Sequence, residues 1–278
     1  MTFWNGVDSK IRNFQAVKSN NRLYIIEKFL GVGSFNNSYL VNGNIFLKQY
    51  TYPLKHHKKY LFFAENLKKV YSKINNLKHT ENIIETFEFK EHFFISRKYE
   101  KAVSLKKYIL QNPKITDRLE LLSKLTEPLR EIHNEGIVHT DLKPAQFLLL
   151  ENRDVMLIDF DHCIDKSLGV YNPGSSAYWY SPEHIKNENI SFHSDVFTFG
   201  MIVYNFLTNI HPFYEMIKRG KYNEAILNKK EYIPINVIYK NNLPADLAQC
   251  IDAMMEPDYN NRPEMIEIEN VVKGLIWE

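Results

Sequence analysis

Between His139 and Asp161 the chain reads HTDLKPAQFLLLENRDVMLIDFD. Two apolar runs, Phe147 to Leu150 and Val155 to Ile158, flank the polar turn Glu151-Asn152-Arg153-Asp154, which is the pattern of a short buried hairpin. Polar residues crowd both of its ends: Asp141, Lys143 and Gln146 before it, Asp159 and Asp161 after it. Phosphoryl transfer needs few groups, because it rests on positioning and charge neutralisation. A carboxylate must orient the attacking hydroxyl, a cation must face the transferred phosphoryl, and oxygen ligands must hold Mg²⁺. Each residue type required is present on this one loop and hairpin.

The flanking sequence builds a scaffold around it. From Arg22 the stretch LYIIEKFLGVGSFNNSYLVNGNIFLKQY reads as an antiparallel meander, with Asn42-Gly43 as a two-residue turn whose positions both need positive φ. Its Gly31-Val32-Gly33-Ser34-Phe35-Asn36 tip lets backbone N–H groups approach phosphates. Phe63, Leu67, Val70, Tyr71, Ile74 and Leu77 recur at helical steps, and ETFEFKEHFFISRKYE with the preceding LKHTENII completes a five-stranded sheet. A long helix over Thr116 to Glu135, capped by Thr116 or Asp117 and ended by Gly136, leads into His139. Asp195 to Leu207 is apolar all round, as a buried helix is, and two amphipathic helices close the chain.

Together these motifs resemble the protein kinases, over roughly residues 22 to 275. The loop is similar to H-R-D-x-K-x-x-N and D-F-G, with Thr140 for Arg, Gln146 for Asn and Asp161 for Gly. The resemblance implies an α+β, bilobal fold: an N-terminal strap over residues 1–21, a small antiparallel-sheet lobe over 22–100 and a mainly helical lobe over 101–278. It makes Asp141 the base, Lys143 the cation at the γ-phosphoryl, and Lys48 the holder of the α and β phosphates. His139 is a buried structural ring on this reading. Gly31, Gly33, Phe35, Glu65, Tyr99 and Leu148 would contact or support ATP, Glu65 by pairing with Lys48 and Leu148 by flooring the adenine. Gln146, Asp159 and Asp161 would hold Mg²⁺. Phe46 stands where the family has a small residue beside the adenine. Ser176 takes the place of a Thr that contacts the catalytic Asp and Lys, Asp195 would brace the catalytic loop, and Glu183 would pair with Arg262. Ser167, Tyr171 and Ser175 are hydroxyls open to phosphorylation. Without an Arg at position 140 the usual pocket for an activating phosphate is missing, so activity should not require it.

Composition narrows the partners. A formal charge of +2 and a pI near 8.3 give no reason to invoke nucleic acid. Cys163 and Cys250 form neither a disulfide framework nor a zinc spacing. The sequence carries no signal-peptide pattern and no run of 18 apolar residues. A cytoplasmic protein with no membrane partner is the expectation; oligomeric state is left open. Three function classes follow, led by an ATP-dependent kinase acting on Ser or Thr hydroxyls of a protein substrate. Behind it stand a pseudokinase serving as a nucleotide-binding or scaffolding module, drawing on the motif departures, and a small-molecule phosphotransferase of the aminoglycoside or choline kinase kind. Ser181-Pro182-Glu183, Asp195 to Gly200 and Arg262 weigh against the last.

Overall fold

The computed structural model describes residues 15–33, 36–50, 58–168, 175–188, 190–229, 231–239 and 243–275, with side chains from 65 onward in the first helix. The architecture is α+β and bilobal, with Met1–Asn76 and Glu81–Lys101 in one compact unit and Leu77–Thr80 and Ala102–Glu278 in the other.

The first unit is an antiparallel sheet with one helix. Its elements are β1 (Ala16–Lys18), β2 (Leu23–Val32), β3 (Asn36–Val41), β4 (Ile45–Tyr50), α1 (Lys58–Ile74), β5 (Ile83–Phe89) and β6 (His92–Lys98), in the sheet order β1-β2-β3-β4-β6-β5. Six strands form rather than five. The extra one arises because the Ser19 hydroxyl accepts from the N–H groups of Asn21 and Arg22, folding Ala16–Lys18 back onto Leu23–Ile25. Asn42 and Gly43 both adopt positive φ (48° and 75°) as expected. Val41 pairs with Ile45, however, so the loop holds Asn42, Gly43 and Asn44 rather than two residues.

Strand alternation gives the sheet two faces. One packs Val17, Tyr24, Tyr39, Val41, Ile45, Leu47 and Phe94 into a core. There Phe87 stacks between Tyr24 and Phe94, at 5.3 and 5.2 Å between ring centroids. The other face carries Phe46, Lys48 and Tyr50 of β4 beside Phe93, Ile95 and Arg97 of β6. On α1, Leu67, Val70, Tyr71 and Ile74 are buried at steps of three and four.

The second unit is mainly helical. It runs β7 (Ala102–Ser104), α2 (Leu105–Leu110), α3 (Ile115–Asn134), β8 (Ile137–Val138), β9 (Phe147–Leu150), β10 (Val155–Leu157), β11 (Ile164–Asp165), α4 (Pro182–Lys186), α5 (Phe192–Thr208), α6 (Tyr214–Lys218), α7 (Tyr222–Asn228), α8 (Ile235–Ile238), α9 (Ala245–Met254) and α10 (Met265–Lys273). Strands β9 and β10 are the hairpin expected from the two apolar runs. Helix α3 starts with Lys114 at its N-cap and no side-chain cap, so Thr116 and Asp117 lie inside the first turn instead of capping it. Gly136, at φ 76°, ends the helix where expected and turns the chain into β8. Thirteen residues of α5 from Ser194 to Leu207 are buried, as its all-round apolar sequence requires. Among the described residues no helix is long and apolar enough to cross a membrane.

Candidate functional site

Helix α3 and strand β8 deliver the loop that holds Asp141. Strand β8 pairs with β11, Val138 opposite Ile164 and Ile137 opposite Asp165, tying this loop to the segment that follows Asp161. From below, Asp195 in the first turn of α5 accepts three bonds: the His139 and Thr140 N–H groups at 2.7 and 2.8 Å, and His133 Nε2 at 3.0 Å. Thr140 sits at φ 65°, a left-handed conformation costly for a β-branched residue, and this anchoring holds it there. His139 is fully buried, with Nε2 donating to the Ile158 carbonyl and its ring against Phe160. Burial drives its pKa down, so it is a neutral structural ring and not a base.

Asp141, Lys143 and Ser176 form a compact set. Lys143 Nζ donates to Asp141 Oδ2 at 3.0 Å and to Ser176 Oγ at 2.8 Å, while the Ser176 N–H donates to Asp141 Oδ1. A carboxylate beside an ammonium, with lone pairs remaining on both oxygens, can orient an incoming hydroxyl. Leu148, in the middle of β9, is half-buried and lies opposite Met156 and Ser104.

Asp159 follows β10 in the left-handed region, at φ 74° and ψ 61°, and opens a 3-10 turn through Phe160, Asp161 and His162. Position 161 does not adopt positive φ, so an aspartate fits where the resembling motif has glycine. Gln146 departs from expectation. Its Oε1 accepts the Lys143 N–H at 2.9 Å, and its Nε2 points at Asp159 Oδ2, 3.3 Å away. The Lys143 N–H can only donate, which fixes the oxygen on that side. The extra methylene of Gln lets its amide N–H₂ face Asp159, so that Gln146 bridges the Lys143 backbone and that carboxylate. Among the described residues no group of three or more His, Cys, Asp or Glu could hold a metal. Mg²⁺ bound through one or two carboxylates, with water and phosphate oxygens completing the shell, fits Asp159 and Asp161 by donor chemistry.

The later segment rests on aromatic rings. The Tyr178 carbonyl, at a residue with φ 67°, meets His211 Nε2 at 3.0 Å and the Tyr222 hydroxyl at 2.7 Å. Tyr178 and Tyr180 pack edge-on against Tyr222, and Trp179 against His211. Burial lowers the His211 pKa to about 4, so its neutral ring donates to Tyr178. No sequence signal marked Tyr222, one aromatic in a polar stretch. Glu183 and Arg262 pair as expected, at 2.7 and 3.0 Å, and all five guanidinium N–H groups are bonded, with the carbonyls of His193, Glu256 and Pro257 taking the rest. Ser167 donates to Asp165 Oδ1 through both its N–H and its hydroxyl; Ser175 is half-buried; Tyr171 lies outside the described residues.

In the first unit, Lys48 is buried on β4 with its ammonium 5.6 Å from the Tyr50 ring. Gly31 pairs with Ser38 in open space. Gly33 donates its N–H to the Asn36 carbonyl at 2.8 Å, and a Cβ there would meet Asn36 Oδ1 at 2.7 Å. Phe35 lies outside the described residues. The structure does not pair Glu65 with Lys48: Glu65 is exposed on α1, since a step of 100° per residue puts it off the buried stripe. Tyr99 is 38% exposed and its N–H is taken by the Asn44 carbonyl. A cluster the sequence did not reveal lies on the Lys48 face. Arg97 Nε meets Glu81 Oε2 at 2.8 Å, both buried; the guanidinium covers the Phe46 ring at 4.0 Å, and the Tyr71 hydroxyl donates to Glu81.

The protein kinase domain model matches residues 14–272. Among curated relatives, a probable serine/threonine-protein kinase PknB of Lactococcus lactis is 27% identical over 190 residues, 65% of this chain and 29% of the relative. Serine/threonine-protein kinase 1 of a Heliothis zea nuclear polyhedrosis virus is 27% identical over 158 residues, 55% of this chain and 56% of the relative. A probable serine/threonine-protein kinase nek2 of Dictyostelium discoideum is 30% identical over 156 residues, 53% and 35% of the two chains. The chain thus covers less than two thirds of the length of each. With nearly its whole length matched, and with a bilobal fold carrying the Asp141–Lys143–Ser176 set, the chain belongs to the protein kinase domain family.

Proposed function

We propose that the chain is an ATP-dependent serine/threonine protein kinase, transferring the γ-phosphoryl of Mg-ATP to a protein hydroxyl without activation-loop phosphorylation. The observation that carries this reading is the Asp141–Lys143–Ser176 set, with its carboxylate and ammonium 3.0 Å apart. Asp141 orients the substrate hydroxyl and takes its proton as the new O–P bond forms and the bond from the γ-phosphorus to the β–γ bridging oxygen breaks, releasing ADP. Lys143 offsets the charge gathering on the transferred group. Gln146 aims the Asp159 carboxylate. Lys48, by the family resemblance, holds the α and β phosphates. Mg²⁺, held by Asp159 with Asp161 beside it, would neutralise phosphate oxygens. A cytoplasmic location is part of the same proposal.

A second reading has its own support. Phe46 with Arg97 stacked upon it, and the Gln146 amide turned nitrogen-first, favour a nucleotide-binding or scaffolding module that does not transfer. Labelling with γ-labelled ATP and Mg²⁺ tests the choice, using a generic protein substrate beside small alcohols. Wild-type labelling of protein that Asp141→Ala lowers about 10²–10⁴-fold, the range of a lost acid–base group, and that Asp159→Ala also removes, supports the kinase. Mg-ATP binding without label favours the module, and labelled alcohols would move the substrate class.

A further inference from the structure

We propose that the Thr140 hydroxyl is a positioning residue that latches the metal-side turn to the catalytic loop, doing without charge what an arginine and an activating phosphate would do. This deepens the kinase reading and rests on it. Thr140 Oγ1 donates to the His162 carbonyl at 2.8 Å, and Thr140 is 2% exposed. His162 closes the 3-10 turn that begins at the left-handed Asp159 and contains Asp161. The bond therefore ties the far end of the turn bearing both carboxylates to the catalytic loop.

The near end is fixed separately, by Ile158 N–H to the Gln146 carbonyl at 3.0 Å and by Gln146 Nε2 at Asp159. Thr140 makes this bond from its left-handed conformation, at φ 65°, with its N–H donating to Asp195 Oδ1 at 2.8 Å. The bond lies in register two positions beyond the Val138–Ile164 pair of β8 and β11, and at the other end of that ladder Lys166 N–H donates to the Gly136 carbonyl at 3.0 Å. A neutral hydrogen bond inside a buried loop is insensitive to phosphorylation and to salt. The geometry thus ties the missing arginine to a substitute built into the same residue.

The test compares wild type, Thr140→Val and Thr140→Ser in the full chain, with Thr140→Ala if valine prevents folding. Melting temperature and circular dichroism establish that each is folded. Amide exchange over Cys163 to Lys166 should accelerate about tenfold in the valine variant, the equilibrium equivalent of one lost hydrogen bond, and stay near wild type in the serine variant. The Mg²⁺ concentration for half-maximal nucleotide binding should rise in parallel, and kcat should fall with the peptide KM unchanged. Valine and serine variants alike in exchange and Mg²⁺ dependence would overturn the latch. Because exchange and binding are read without turnover, a wild type that transfers no phosphoryl would defeat the kinase reading and leave the latch comparison legible.

Discussion

Among the described residues each unit buries a glutamate–arginine pair on both sides, and the two are built on different plans. Glu183 and Arg262, at 2% and 0% side-chain exposure, meet in a two-pronged bond, with every guanidinium donor satisfied and Ser194 donating to the carboxylate. Glu81 and Arg97 meet through Nε alone, with Nη1 on the Lys98 carbonyl and the guanidinium face against Phe46. The first pair is a saturated brace. Both cations lie over a ring, Arg262 over Phe197 at 4.8 Å and Arg97 over Phe46 at 4.0 Å, so the second pair differs in its bonding and in sharing the sheet face that carries Lys48. All four residues are buried and both cations are stacked, so the contrast lies in how many guanidinium donors each glutamate and its neighbours engage.

The largest effect should come from breaking the saturated pair. Arg262→Ala would leave Glu183 buried and unpaired, costing about 3–5 kcal/mol in urea unfolding. Arg97→Leu should cost less, about 2–3 kcal/mol, since the Tyr71 hydroxyl still serves Glu81. Adding Glu81→Leu to it should recover most of that loss, because two apolar side chains then replace a buried ion pair. A double change as damaging as the sum of the singles would place Glu81–Arg97 in the same class as Glu183–Arg262.

The two pairs also differ in how far the sequence disclosed them. Glu183 and Arg262 lie in motifs whose order along the chain resembles a family, so their pairing could be read although they are far apart in sequence. The Asp141–Lys143–Ser176 contacts and the Asp195 brace were legible for the same reason. Glu81–Arg97 joins residues from elements with no motif of their own, and only the register Phe46 opposite Arg97 brings the ring beneath the guanidinium. Glu65 is the only acidic residue between Lys48 and Glu81, but the helix phase exposes it and the buried polar residue is its neighbour Asn66. Gln146 was legible as a residue and not as an orientation, since the choice of amide end depends on the Lys143 N–H. The strand β1 was missed because its pairing depends on one serine-capped turn.

Acid should separate the units next. Burial works to raise the Glu183 pKa, but the Arg262 bonds and charge overcome it and hold it below the ordinary value. Its stabilisation is therefore present above the unfolded carboxylate pKa and lost as pH falls through the depressed one. His211 acts earlier, with burial lowering its pKa from 6.5 to about 4. The unfolded chain takes up that proton first, so stability is full above pH 6.5 and declines as pH falls toward about 4. The second unit should lose on the order of 2 kcal/mol over that window, and His211→Gln should flatten the decline in a pH series of urea melts. An unchanged slope would remove His211 from the comparison.

The smallest effect is the most discriminating for the first unit. Glu65 is exposed and has no bonded partner among the described residues, so Glu65→Ala should shift stability by no more than about 0.5 kcal/mol. Phe46→Leu should cost about 1 kcal/mol through the lost cation–π contact, yet change nucleotide affinity more than Glu65→Ala does, because Phe46 shares its face with Lys48. Measuring Mg-ATP affinity for both variants by calorimetry sets the two side by side. If Glu65→Ala weakens nucleotide binding tenfold while Phe46→Leu leaves it unchanged, the working contacts of the sheet lie with α1, and the Arg97–Phe46 stack reverts to packing alone.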